Sequence, residues 1–327
     1  MTMPLLDVSD LAVTFAPRGR PAVNAVDGVS FQVNAGEVVG LVGESGSGKS
    51  VTAMAILGLL PKGKEVQVTG RASLDGTDLL SLDRRRLRDV RGRDVAMVFQ
   101  DPLSSLNPVV PIGTQVTEVL TRHRGLSGSA ARKEAADLLE RVGIPDPTRR
   151  LRDYPHQLSG GMRQRVLIAI AVACRPRLII ADEPTTALDV TIQAQILDLL
   201  SGLVKDSGTS LLLITHDLGV VAGLCDTVNV FYAGRLVETA KRRQLFGAPQ
   251  HPYTLGLIGS IPRLDTPRGD RLAAIPGSVR DVLPWPTGCA FAPRCALSAD
   301  ECVAGPPALH VVDEGHTHRC VRAGAPS

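Results

Sequence analysis

Aromatic residues are scarce, making up 3% of the 327 positions. That leaves few stacking platforms for single-stranded nucleic acid. An excess of either charge is also lacking: 36 basic and 33 acidic residues give a formal net charge of +3, so there is no global electrostatic case for a nucleic-acid partner. The longest apolar stretch, Val166 to Cys174, falls well short of the roughly 20 residues a membrane-spanning helix needs. The opening residues, Met1-Thr2-Met3-Pro4-Leu5-Leu6-Asp7, contain no basic region followed by an apolar core, so no secretory signal is expected. The expectation is a protein that stays in the cytoplasm and reaches a membrane only through partners. The local basic run Arg84-Arg85-Arg86-Leu87-Arg88 reads as a solvated helix face. No internal repeat stands out.

Glycine-rich phosphate chemistry, by contrast, is present. Gly43-Glu44-Ser45-Gly46-Ser47-Gly48-Lys49-Ser50 fits G-x-x-x-x-G-K-[ST], a loop whose backbone N–H groups cradle phosphates. Its context agrees: Val38 to Val42 has the character of a buried parallel strand, and Ser50 to Leu60 has helical spacing. Lys49 is placed to reach the β- and γ-phosphates and the Ser50 hydroxyl to ligate Mg²⁺. Val51 can offer only its backbone N–H. Strands are expected at Leu5 to Phe15, Val29 to Val33, Leu178 to Ala181 and Ser210 to Thr215. Helices are expected at Ala130 to Val142, Val166 to Cys174 and Ile192 to Val204, and from about Asp101 to Leu158 the chain reads as mainly helical. Alternating strands and helices make this an α/β protein, and its length suggests a large unit plus an appendage.

Four motifs follow one order: the phosphate loop, Gln100, Leu158-Ser159-Gly160-Gly161-Met162-Arg163-Gln164, and Asp182-Glu183 at the end of an apolar run. Together they resemble the ATP-binding subunit of an ABC transporter over essentially the whole chain. The resemblance implies an ABC-type P-loop ATPase core with a mixed, mainly parallel sheet. After about residue 255 the composition changes, with Pro, Gly and four of the six cysteines crowding a stretch of little periodicity, so a domain boundary is expected there. The expected division is a nucleotide-binding domain over 1–255, with a helical subdomain at about 101–165, and an oligopeptide-importer-type extension over 256–327. By the same resemblance Asp182 holds Mg²⁺ through its water shell and Glu183 is the catalytic base. Gln100 contacts Mg²⁺ and water and senses the membrane partner, and His216 contacts the γ-phosphate. Ala187-Leu188-Asp189 resembles the D-loop. Ser159, Gly160 and Gly161 open a helix whose free N–H groups would face ATP held by an opposite subunit. Pro17 occupies the position where the resemblance implies an aromatic residue stacked on adenine; Phe15 is a candidate that fits a core role better.

Three stretches resemble the oligopeptide, dipeptide and nickel importers in particular: Val98 to Pro108, Gln250-His251-Pro252-Tyr253-Thr254, and Gly288 to Cys295. Arg280 departs from the proline common in that group. The resemblance implies ATP-driven import of peptides, or alternatively of nickel or another small solute. It implies a second ATPase subunit (identical or related), two permeases, an extracellular or periplasmic binding protein, and a peripheral position on the cytoplasmic face of the membrane. Rival classes are a soluble non-transport ABC ATPase, for which the stretch from Ser50 to Ser159 is too short to hold a coiled-coil insertion, and a dead nucleotide site, which an intact Lys49, Asp182, Glu183 and His216 oppose.

Cys289, Cys295, Cys302 and Cys320 crowd the Pro- and Gly-rich extension. Stable disulfides are not expected in the cytosol, and four thiols in a segment with little hydrophobic core suggest a metal centre. The spacing lacks the C-x2-C pairs of structural zinc. Four thiolates suit an iron–sulfur cluster, and the resemblance implies a 4Fe-4S cluster, as in some relatives. Zinc, with His310, His316 and His318 as further ligands, and free thiols are the alternatives. Cys174 and Cys225 lie in apolar segments and are expected in the core.

Overall fold

The structure is a computed structural model, which describes residues 3–186, 188–261, 275–279 and 287–323. Twelve strands are designated β1 (Leu6–Phe15), β2 (Val23–Val33), β3 (Val38–Val42), β4 (Val66–Leu74), β5 (Thr77–Asp78), β6 (Val95–Val98), β7 (Leu178–Asp182), β8 (Ser210–Thr215), β9 (Thr227–Tyr232), β10 (Arg235–Lys241), β11 (His310–Asp313) and β12 (His316–His318). The chain divides into two compact units. One holds Met1–Val33, Glu37–Leu80 and Ile214–Ser327; the other holds Asn34–Gly36 and Ser81–Leu213.

The first unit contains an antiparallel sheet in the order β2-β1-β4-β5 and a second run of strands in the order β11-β12-β10-β9-β3. β3 runs parallel to β9, with Val39 opposite Thr227 and Val42 opposite Val230. Every residue of β3 is buried, as expected of a strand covered on both faces. Gly40 on this strand leaves room for Cys225: a Cβ there would lie 3.0 Å from its sulfur. Burial pushes the Cys225 thiol up to about 12, which fits the core role expected of it. β2 begins at Val23 rather than Val29, and β4, β5, β9, β10, β11 and β12 are strands beyond those the sequence reading places. β12 pairs with β10, matching Glu238 with His318, so the region beyond residue 255 adds a strand to this unit.

The second unit places β8, β7 and β6 side by side, with β6 parallel to β7. Its helices form as the spacing predicts. Ile112–Arg124 buries Ile112, Val116 and Leu120, a four-residue repeat that lines one face, and stops at Gly125 with φ 66°. Gly128–Arg141 buries Ala131, Ala135, Leu138 and Leu139. The arginine run lies on the helix Arg84–Val90, capped by the Asp83 carboxylate and burying only Leu87, as a solvated face should. Cys174, expected in the core, is only half-buried just beyond the helix Gly160–Val172. No described helix is long and apolar enough to cross a membrane.

Candidate functional site

Residues 43–50 join β3 to the helix Lys49–Ile56. The chain turns where the Ser47 N–H donates to the Glu44 carbonyl at 3.2 Å. Gly43 and Gly48 take φ of 153° and 111°. A Cβ at Gly43 would lie 2.1 Å from the Phe231 carbonyl oxygen, and one at Gly48 2.3 Å from that of Ala25. Both obstacles are backbone, so close approach demands glycine at these positions independently of φ. Gly48 caps the helix N-terminus, where the positive end of the dipole favours an anion. Lys49 is only 4% exposed. Its Nζ donates to the Gly43 and Glu44 carbonyls at 2.8 and 2.9 Å and to Ser47 Oγ at 3.4 Å. Ser50 and Val51 follow, both half-buried.

In the second unit β7 ends in two carboxylates, Asp182 at 6% and Glu183 at 9% exposure. Glu183 adopts φ 43°, a left-handed conformation that costs a non-glycine residue about 1–3 kcal/mol. Its Oε2 accepts hydrogen bonds from Gln100 Nε2 at 3.0 Å and from Thr186 Oγ1 at 2.8 Å. Gln100 and Glu183, 83 residues apart, are thus brought together; the part played by Thr186 was not visible in the sequence. Two donors on one carboxylate oxygen fix the group's orientation.

Ser159 caps the helix Gly160–Val172, its hydroxyl accepting from the Met162 N–H at 3.3 Å. Gly161 has a further reason to be glycine, since a Cβ there would meet Ile192 Cγ2 at 2.8 Å. Arg165 ties this helix to the Val142 carbonyl and to Gln195. Asp189 caps the helix Val190–Ser207, while Ala187, in the same expected loop, and Arg280 lie outside the described residues. His216, in the first unit, follows β8 and is exposed. Its neighbour Asp217 donates its N–H to Thr215 Oγ1 and caps the helix Leu218–Leu224. Phe15, expected in the core, is half-buried at the end of β1, and Pro17 is exposed.

Comparison with known proteins places the chain in a family. Residues 26–186 match the ABC transporter family model, and residues 237–302 match the C-terminal region of oligopeptide/dipeptide transporters. The chain is 48% identical to the oligopeptide transport ATP-binding protein OppD of Salmonella typhimurium, over 97% of this chain and 93% of that one. It is 49% identical to the dipeptide transport ATP-binding protein DppD of Bacillus subtilis, over 97% and 94%. The chain belongs to the ATP-binding proteins of ABC-type oligopeptide/dipeptide transporters. Among solved structures, the ATP-binding cassette MJ0796, dimeric and bound to ADP and Pi, superposes with a TM-score of 0.65 at 30% identity, covering 73% of this chain and 99% of that one. The fold is therefore that of an ABC ATPase cassette, and the chain is an ATPase.

The C-terminal region of this ABC-type ATPase contains the four clustered cysteines. Cys289, Cys295, Cys302 and Cys320 line one small pocket together with His251. Burial raises the Cys289 and Cys295 thiols and pushes Cys320 up to about 11. His251 Nδ1 accepts from the Tyr253 N–H at 3.1 Å, which puts the ring proton on Nε2, a buried donor that has no hydrogen-bond partner among the described residues. Four thiols thus face one cavity. Even so, among the described residues no set of three or more His, Cys, Asp or Glu side chains is placed to hold a metal ion, so the expected iron–sulfur centre is not established by side-chain placement. His316, named with His310 and His318 as a zinc ligand, instead pairs with the buried Glu238 at 2.8 Å, and His310 stacks on His318.

The loop geometry generates a direct expectation. Gly48→Ala should weaken ATP binding by roughly 5- to 150-fold, the range that about 1–3 kcal/mol of backbone strain corresponds to. Isothermal titration calorimetry checks this, and unchanged affinity would mean the loop can retreat from the Ala25 carbonyl.

Proposed function

We propose that this ATPase hydrolyses ATP at the 43–50 loop to drive peptide import as the ATP-binding subunit of an ABC transporter. The observation that carries the reading is a cassette with Gln100 and Thr186 holding the Glu183 carboxylate, joined in one chain to the C-terminal region of oligopeptide/dipeptide transporters. Gly43 to Val51 bind the phosphates, with Lys49 turning from its carbonyl partners to the β- and γ-phosphates. By the family resemblance Ser50, Gln100 and Asp182 would hold Mg²⁺, which would neutralise the developing phosphate charge. Glu183 takes the proton of the attacking water and His216 reads the γ-phosphate. Domains 1–255 and 256–327 divide the work between nucleotide and extension. The likeness to transporter ATP-binding proteins supports permease and binding-protein partners and a peripheral place at the cytoplasmic face of the membrane.

Replacing Glu183 by Gln preserves shape and hydrogen bonding but removes the base, which should slow hydrolysis about 10²- to 10⁴-fold while ATP still binds. Near-normal turnover in the assembled transporter would refute the role of Glu183.

The signature helix start, with Ser159 and Gly160 exposed and the positive end of the helix dipole facing outward, supports Ser159, Gly160 and Gly161 as the site for ATP bound by a second subunit. Because Gly161 also packs on Ile192, Ser159→Asp is the cleaner probe: aspartate keeps the cap but sets a negative charge beside the γ-phosphate. In the Glu183→Gln background, size-exclusion chromatography with ATP should show dimers that Ser159→Asp abolishes. Persistent dimers would remove the head-to-tail arrangement.

For the extension, the shared pocket and the orphaned His251 N–H support a 4Fe-4S cluster on Cys289, Cys295, Cys302 and Cys320, which would supply a rigid cross-link to a segment with little core of its own. Protein purified anaerobically should be brown, absorbing near ~400 nm as iron–thiolate clusters do, and Cys302→Ser should bleach it. Colourless protein with stoichiometric zinc would replace the cluster by zinc.

A further inference from the structure

Glu44, the second residue of the phosphate loop, is gripped from three directions within the first unit. Its carbonyl accepts from Lys49 Nζ at 2.9 Å, and its N–H donates to the Tyr253 hydroxyl at 2.9 Å. Its carboxylate receives Arg294 Nη1, at 3.0 Å to each oxygen. Tyr253 and Arg294 both come from the region that matches the oligopeptide/dipeptide transporter C-terminal model. Neither has a place in the ATP chemistry described above.

The Arg294 junction is built, unlike a surface ion pair. Its side chain is 6% exposed and every branch of the guanidinium is committed. Nε donates to the Pro276 carbonyl at 2.7 Å, Nη2 to the Gly277 carbonyl at 3.1 Å, and Nη1 also to the Tyr232 hydroxyl at 3.2 Å. The guanidinium carbon lies 5.7 Å from the Tyr232 ring centre and 5.9 Å from that of Phe291. Tyr232 meets Tyr253 edge to face at 4.6 Å. Two of the three tyrosines in an aromatic-poor chain are therefore spent on this contact. A charge-assisted hydrogen bond in such a low-dielectric setting is strong, and losing one partner leaves a buried charge uncompensated.

We propose that Arg294 is a positioning residue for ATP binding, acting through Glu44 to hold the phosphate loop in its binding shape. The peptide unit is planar and trans, so fixing the Glu44 carbonyl toward Lys49 also fixes the direction of the next N–H, that of Ser45. Clamping Glu44 at both its N–H and its carboxylate orients the start of the anion cradle before nucleotide arrives. The C-terminal region thereby sets nucleotide affinity. The competing account is that Arg294 only fastens the extension to the cassette through Pro276 and Gly277. That account predicts no dependence on Glu44.

This inference rests on residues 43–50 being the ATP loop, and one experiment separates the two. ATP affinity is measured by titration calorimetry on the full chain for Lys49→Ala, Glu44→Ala, Arg294→Gln, Arg294→Lys and the Glu44→Ala/Arg294→Gln double variant. Each of Glu44→Ala and Arg294→Gln should weaken ATP roughly tenfold. The double variant should be no weaker than the worse single one, and Arg294→Lys should recover part of the loss. In turnover assays KM for ATP should rise more than kcat falls. Additive losses, or wild-type affinity in Glu44→Ala, would overturn the inference; Glu44→Ala leaves the Pro276 and Gly277 bonds intact and so reports even if Arg294→Gln misfolds. If Lys49→Ala retained full affinity, the loop assignment itself would fall.

Discussion

The loop between β3 and the helix Lys49–Ile56 must pass so close to the carbonyls of Ala25 and Phe231 that no Cβ fits at Gly48 or Gly43. Neighbouring strands and one turn of the first unit impose that constraint. β2 supplies Ala25, and β9 supplies Phe231, which lies one residue beyond the paired register of β3 and β9. The Gly234 N–H, in the turn between β9 and β10, donates to the Ser47 carbonyl at 2.8 Å. A loop packed on all sides by backbone has few alternative shapes, and a preorganised cradle of N–H groups binds phosphate without reordering on arrival.

The carboxylates obey a different logic. Asp182 and Glu183 are nearly fully buried, where an ionised group is costly without partners. Gln100 and Thr186 supply two for Glu183, and its left-handed backbone shows that the surrounding structure sustains some strain to aim this residue. Strain and burial thus coincide at one side chain that follows a wholly buried strand.

How much of this was legible follows from the range of the interactions. β3, β7 and β8 are buried at every position and so read directly as continuous apolar runs. The phosphate loop reads directly because its chemistry is contained in eight consecutive residues. β4, which pairs with β1 and mixes exposed polar residues with Gly70, left no clear alternation. β12, three residues long, is a strand only because β10 lies beside it. The change of composition near residue 255 coincides with no division between the compact units. The contact of Arg294 with Glu44 spans 250 residues, and nothing in either local stretch announces it. Gln250 to Thr254 stood out as a motif, but that Tyr253 reaches the loop while His251 faces the cysteine pocket becomes visible only in three dimensions.

The central claim is that the C-terminal region holds the phosphate loop in shape, and amide hydrogen exchange across residues 43–50 tests it most directly. In the wild-type chain the Glu44 amide, bonded to the Tyr253 hydroxyl, should exchange slowly without nucleotide. In Arg294→Gln, peptides covering this loop should exchange faster, while the helices of residues 112–141 keep their wild-type protection. Unchanged exchange at Glu44 in a folded Arg294→Gln chain would contradict the account.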